Sequence, residues 1–101
     1  LSRADLSNIN LSGKNFSWAV LKKSNLKGTL LRNAVFEGAD LSEANLKGAD
    51  LSGSNLKGAD LSGSNLVDAK LNNSNLNGVL LCKTKMPNGR ENNSKCPGIE
   101  N

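Results

Sequence analysis

The sequence predicts an all-β solenoid wound from five-residue units, and two regularities predict it. A Leu or Phe stands at every fifth position from Leu1 to Leu81, 17 of 17. A small residue stands two positions before most of them, as at Ala4, Ala19, Ser24, Ala34, Ala39, Ala44 and Ala49. A helix cannot use this period: at roughly 100° per residue a step of five turns about 140°, which scatters the leucines around the axis. A continuous strand cannot use it either, because odd spacing puts successive leucines on opposite faces.

Each unit works as a short extended piece followed by a bend. The small residue and the Leu are two apart, so both point inward. The Asp or Asn between them, as at Asp5, Asn25, Asp40, Asn45 and Asp50, points outward. The two residues after the Leu form a corner, and the second is often Gly, as at Gly13, Gly28, Gly38 and Gly48. Glycine accepts turn dihedrals at little steric cost, and the bend resets the phase so that the next Leu points inward again.

The units Ala49-Asp50-Leu51-Ser52-Gly53, Ser54-Asn55-Leu56-Lys57-Gly58 and Ala59-Asp60-Leu61-Ser62-Gly63 resemble the A(D/N)LXX motif of the pentapeptide-repeat family. The resemblance covers residues 1 to about 83. It implies a right-handed quadrilateral β-helix with four repeats per coil, hence about four coils over 1–83, and a C-terminal capping tail over 84–101. Residues 20 apart would then stack at the strand spacing of ~4.8 Å, Phe16 on Phe36 among them. The expected core is Leu21, Phe36, Leu41, Leu46, Leu51, Leu56, Leu61, Leu66, Leu71 and Leu76, each Leu contributing roughly 1.5–3 kcal/mol of burial. Outside, Glu37 would face Lys57 and Asp50 would face Lys70, exposed pairs worth under ~1 kcal/mol each.

Composition fits a ladder core better than a globular one. Only 37% of residues are hydrophobic and 3% aromatic, while the net charge is +4. Disorder would combine low hydrophobicity with high net charge and no apolar order, whereas here the apolar residues are strictly ordered. Residues 1–32 carry +5, residues 33–81 carry −3 and residues 82–101 carry +2. No apolar run reaches the 18 residues of a membrane span, and no signal peptide is visible. Because the chain starts at Leu1 within the repeat, a longer natural chain is expected. Its first ten residues should fray, and a monomer is expected, with end-to-end dimerisation as the alternative.

Some positions depart from the motif. Lys14 and Ile9 occupy inward small-residue slots. The first coil is therefore expected to be irregular, with the Lys14 ammonium reaching out to solvent. Val20, Leu30, Val35 and Leu80 replace the outward Asp or Asn, and Trp18 sits at a corner. Single exposed apolar residues are ordinary, but Trp18, Val20 and Val35 lie close enough in the coil scheme to form a candidate partner patch.

The expected repeat ends after Leu81, and the remainder reads as a loop that covers the last coil. Met86-Pro87-Asn88-Gly89 fits a tight turn. Cys82 and Cys96 are the only cysteines, too few for a structural zinc site in a chain without His. A disulfide between them would close a loop of about 15 residues and contribute ~3 kcal/mol. The alternative is two ordinary thiols, one at the edge of the core. The Thr84-to-Gly89 ending also resembles that of cyanobacterial and thylakoid-lumen pentapeptide proteins. That implies an exported, oxidising setting, the thylakoid lumen or a periplasm, with the cytoplasm as alternative.

Among functions, an enzyme is the least expected. There is no His and no Tyr, and general acid–base catalysis favours groups tuned near neutral pH. The serines recur with the repeat, and no phosphate loop, metal-ligand set or cofactor motif is present. A duplex mimic of the gyrase-protecting type should be far more acidic, given one charge per ~1.7 Å of DNA axis. Direct nucleic-acid binding should show a basic stripe with aromatics. An ice-binding ladder would need threonines, and only Thr29 and Thr84 are present. The sequons at Asn10, Asn15, Asn72 and Asn92 carry no weight, since the repeat generates most of them. What remains is a structural or protein-binding module with an unidentified protein partner and no cofactor.

Overall fold

A computed structural model describes residues 1–96, and each five-residue unit makes one side of a coil. Bridges in parallel sense join residues 20 apart, running Asp5–Asn25–Asn45–Asn65–Lys85 up one side and Asn15–Val35–Asn55–Asn75 up another. Four units therefore complete one circuit, and the molecule measures 39 × 27 × 24 Å. The spacing of the leucines and the length of the circuit together place each leucine-slot side chain under another of that slot, and each small-residue slot under another.

The backbone of one unit uses all five of its amides, as a side open to its neighbours must. Leu26 N–H donates to Asn45 O in the next coil (2.7 Å), and Asn25 N–H donates to Ala4 O in the previous one (2.8 Å). Gly28 N–H reaches Lys47 O (2.9 Å), and Thr29 N–H closes the corner on Leu26 O (3.1 Å). The fifth amide, Lys27 N–H, donates to the Asn25 Oδ1 side chain (3.1 Å). The outward Asp or Asn is thus an Asx turn that satisfies the one amide the coil cannot pair.

The corner has φ > 0 at its second residue with an i→i+3 hydrogen bond, the signature of a type II turn. Glycine fills many of these positions, but the coil imposes the same dihedral on Arg3, Trp18, Lys23, Glu43 and Lys83, whose φ lies between 55° and 63°. Where a glycine follows one coil later, the larger corner side chain folds down over it. A Cβ on Gly38 would collide with the Trp18 ring, and one on Gly53 would meet Asn33 Oδ1.

Leu21, Leu26, Leu31, Phe36, Leu41, Leu46, Leu51, Leu56, Leu61 and Leu66 are at most 1% exposed. Phe16 stacks on Phe36 as expected, with ring centroids 5.2 Å apart and planes 14° from parallel. Buried Thr29 donates its hydroxyl to Leu6 O (2.7 Å) and buried Ser64 donates to Leu61 O (2.7 Å). Ser24 and Ser54 hydroxyls are buried without a partner among the described residues.

Two expected core residues are corrected. Leu71 is only half-buried and Leu76 is 39% exposed. No further coil stacks over their sides, because the chain leaves the helical path after Met86. The repeat also runs past its expected end at Leu81: Thr84 is fully buried in a small-residue slot, Lys85 bridges Asn65, and Met86 packs against the core where the next Leu would fall. The boundary expected after residue 83 therefore lies inside a wound segment.

The tail is a hairpin rather than a plain loop. Strand β1 (Thr84–Lys85) pairs antiparallel with β2 (Glu91–Asn92). The connecting turn is the expected one, with Gly89 N–H on Met86 O (2.7 Å). A Cys82–Cys96 disulfide ties the hairpin back to the last coil, and Lys95 N–H donates to Leu81 O (3.0 Å). Residues 97–101 of the expected tail lie outside the described residues.

Candidate protein-binding surface

A column of this kind offers four sides and four corners, and its chemistry is set by what stands at the outward positions. The corner at Trp18 is the most apolar. Trp18 is 73% exposed, its indole lying over bare Gly38. Val20, on the side that follows this corner, is 55% exposed, and Val35, on the side that precedes it and one coil further on, is half-buried. The three expected patch residues therefore flank one corner, with Val35 contributing least. Glycines Gly38, Gly58 and Gly78 continue that corner above Trp18, alongside Glu37, Lys57 and Asn77.

Other apolar outward residues are separate. Leu30 is 43% exposed on a different side, and Leu76 and Leu80 are each 39% exposed at the C-terminal end. At the N-terminal end Leu1 and Ile9 are 68% and 44% exposed. Lys14 is exposed as expected, but the first coil is not irregular: its bridges to the second coil and its corner bond from Lys14 N–H to Leu11 O (3.2 Å) follow the pattern of the rest.

The ion pairs differ from expectation. Neither Glu37–Lys57 nor Asp50–Lys70 forms. The bridges among the described residues are Arg32–Asp50 (2.7 Å) and Lys23–Glu43 (3.7 Å). Stacking brings backbones into register, but a long side chain can reach sideways as easily as upward. Asp50 is the polar focus of its side. Its Oδ1 accepts the Ser52 hydroxyl (2.6 Å) and amide (3.1 Å), and its Oδ2 accepts Arg32 Nε (2.7 Å). Arg32 also shows how a departure is compensated. Leu30 cannot cap its amide, and Ser12 Oγ of the coil below accepts it instead (3.2 Å).

The Ser52 hydroxyl, then the Arg32 guanidinium, hold the Asp50 carboxyl down at about 2 from its ordinary 3.8. A carboxyl whose folded pKa is depressed stabilises the fold above its unfolded pKa and loses that contribution as pH falls through the folded one. Asp50→Asn keeps the turn but loses the charge. It should cost about 1–2 kcal/mol near neutral pH, a figure reduced because Arg32 is largely solvated. Urea unfolding of the two proteins should differ at pH 6 and converge between pH 4 and pH 2; a gap that persists at pH 2 would exclude this origin.

The surface hollows are shallow. One, of about 560 Å³, lies beside the hairpin between Met86, Pro87, Arg90 and Asn93. No group of three or more potential metal-ligating side chains occurs among the described residues, and no helix there is long and apolar enough to cross a membrane. The sequence missed the Asp50 cluster, although Asp followed two residues later by Ser, with Arg32 eighteen residues earlier, was the signal available for it.

Comparison with known proteins agrees with this geometry. The model for pentapeptide repeats matches residues 1–38 and 39–78, in eight copies. Similar solved structures include alr5209, a pentapeptide repeat protein from Nostoc PCC 7120, at 36% identity and TM-score 0.74, covering 76% of this chain and 64% of that one. Rfr23 from the cyanobacterium Cyanothece 51142 is 38% identical with TM-score 0.58, covering 86% and 60%. AT2G44920, from the Arabidopsis thaliana thylakoid lumen, is 34% identical with TM-score 0.52, covering 84% and 63%. These neighbours imply right-handed winding of the β-helix. The chain thus spans 60–64% of the length of these relatives. No curated protein matches the sequence.

Proposed function

Since this chain belongs to the pentapeptide-repeat family, we propose that it is a non-enzymatic protein-binding module, a rigid column of about four coils with a C-terminal cap, that meets its partner through the Trp18 corner. The observation that carries this is the 73% exposure of Trp18, the only tryptophan, between Val20 and Val35. Leaving a large amphipathic ring in water is costly for the monomer, and Trp is enriched among the residues that dominate binding energy at interfaces. Regular flat sides suit docking because the partner meets a surface already ordered, so little entropy is lost on binding.

A catalytic role finds no support in the side chains present, since the chain has neither His nor Tyr. A duplex-mimic role is not favoured, because cations and carboxylates are mixed on the sides and the net charge is +4. The compartment proposed is an exported, oxidising one, the thylakoid lumen or a periplasm. The disulfide and the lumenal origin of the Arabidopsis neighbour support it.

Trp18→Gly is the informative variant. It removes the ring while placing at φ 62° the residue best suited to that dihedral, so stability should hold or rise slightly. Affinity pull-down from thylakoid-lumen or periplasmic extract should recover a defined protein with the wild type. Its affinity for purified Trp18→Gly should fall at least about thirtyfold, the effect of losing a strong aromatic anchor. Equal affinity of the two would remove the corner from the interface, and recovery of gyrase or nucleic acid would replace this function with the duplex-related one.

A further inference from the structure

A second side of the column carries a charge excess that the ion pairs among the described residues only partly cancel. Its outward column is Asp5, Asn25, Asn45, Asn65 and Lys85, bridged one above the next. Arg3, Lys22 and Lys23 stand on one bordering corner, and Lys27 and Lys47 stand on the other; all five are exposed. Against these five cations the same side and corners, through the third coil, place two carboxylates, each locally engaged. Asp5 accepts the Ser7 hydroxyl (2.7 Å), and Glu43 pairs with Lys23 (3.7 Å). Lys27 and Lys47 are stacked one coil apart, Gly28 N–H donating to Lys47 O (2.9 Å), and neither makes an ion pair among the described residues. Stacked like charges destabilise the free protein, and an external anion would relieve that cost. Towards the C-terminus the excess fades, because exposed Asp68 stands on the Lys27–Lys47 corner one coil above Lys47 and β2 brings Glu91 opposite Lys85.

We propose that this side docks on an anionic lipid surface. Three features of the side point to that partner. It is flat, with short asparagines along its centre, matching a planar surface rather than a concave one. Its cations are mostly lysines, strongly hydrated point charges on flexible stems that suit a diffuse anionic layer, whereas bidentate phosphate recognition in nucleic acids favours Arg. It presents no aromatic for base stacking, and its one apolar border residue, Val67, is small and half-buried, unlike the large anchors that centre protein interfaces. Trp18 stands on a corner that does not border this side, so the docking is independent of the function proposed above and leaves the Trp18 corner free.

The test uses the full chain and vesicles of phosphatidylcholine with or without phosphatidylglycerol. The protein should sediment with the anionic vesicles at low salt, remain free with the neutral ones, and be released by high salt as screening removes the attraction. Each lysine near the surface is worth roughly a fivefold gain in partitioning, so the triple variant Lys22→Gln, Lys27→Gln, Lys47→Gln should bind about a hundredfold less well. The double variant Lys57→Gln, Lys70→Gln, whose positions lie away from this side, should bind like the wild type. Trp18 emission should stay unshifted on the vesicles. Equal binding by the triple variant, binding to neutral vesicles, or a blue shift of Trp18 would overturn the proposal. So would a DNA duplex that binds more tightly than the anionic vesicles, since the side would then be a nucleic-acid site.

Discussion

Leu51→Lys is expected to abolish folding. Leu51 is fully buried midway along its ladder, and its amide donates to Lys70 O in the next coil (2.8 Å). An ammonium there has no carboxylate to meet, because Asp50 points outward and is already engaged by Ser52 and Arg32. Burying an unpaired charge costs several kcal/mol even after relaxation, against a total stability of about 5–15 kcal/mol for a domain. Circular dichroism should show the β-type signal lost at room temperature. Lys14 differs: it stands in an inward small-residue slot of the first coil and is exposed, so its ammonium keeps its water. Ser52→Ala is the graded comparison. It removes one hydrogen bond to Asp50 and should cost about 1 kcal/mol without loss of fold. A Leu51→Lys protein that melts cooperatively near the wild-type temperature would contradict the burial of this ladder.

Reduction of the disulfide should cost about 3 kcal/mol, the chain-entropy value for a loop of this length, the cysteines being 14 residues apart. Intact mass under non-reducing conditions should be about two hydrogens below the reduced mass. Cys96→Ser should lower the denaturation midpoint by the same amount as dithiothreitol does to the wild type, and dithiothreitol should leave the variant unchanged. Hydrogen exchange should then localise the loss. Amides of β1 and β2 and of Lys95 should exchange fast, while residues 41–66, whose coil bonds do not involve the hairpin's second strand, keep their protection. Two free thiols in protein purified from an oxidising compartment would contradict the pairing and withdraw one support for that compartment.

Much of this architecture is written in one dimension. A strict period of five can be buried only by a chain that bends once per unit, so the sequence alone determined the inward Leu ladder, the outward Asx positions and the corner glycines, while four units per coil, and with it the stacking of Phe16 on Phe36, came from the resemblance to pentapeptide repeats. It also held a signal that was missed: Thr84 and Met86 keep the small-residue and leucine phase past Leu81. The tertiary structure alone decided which ends are covered and which side chains meet. Leu76 satisfies the motif as well as Leu56 does, yet lies 39% exposed because burial depends on whether another coil follows. Asp50 pairs with Arg32 rather than with Lys70, its partner in the stack, because Arg32 stands on the corner bordering that side one coil below and its guanidinium reaches sideways to the carboxylate. Backbone register follows from a period; the reach of a flexible side chain, and the presence of a neighbour above it, do not.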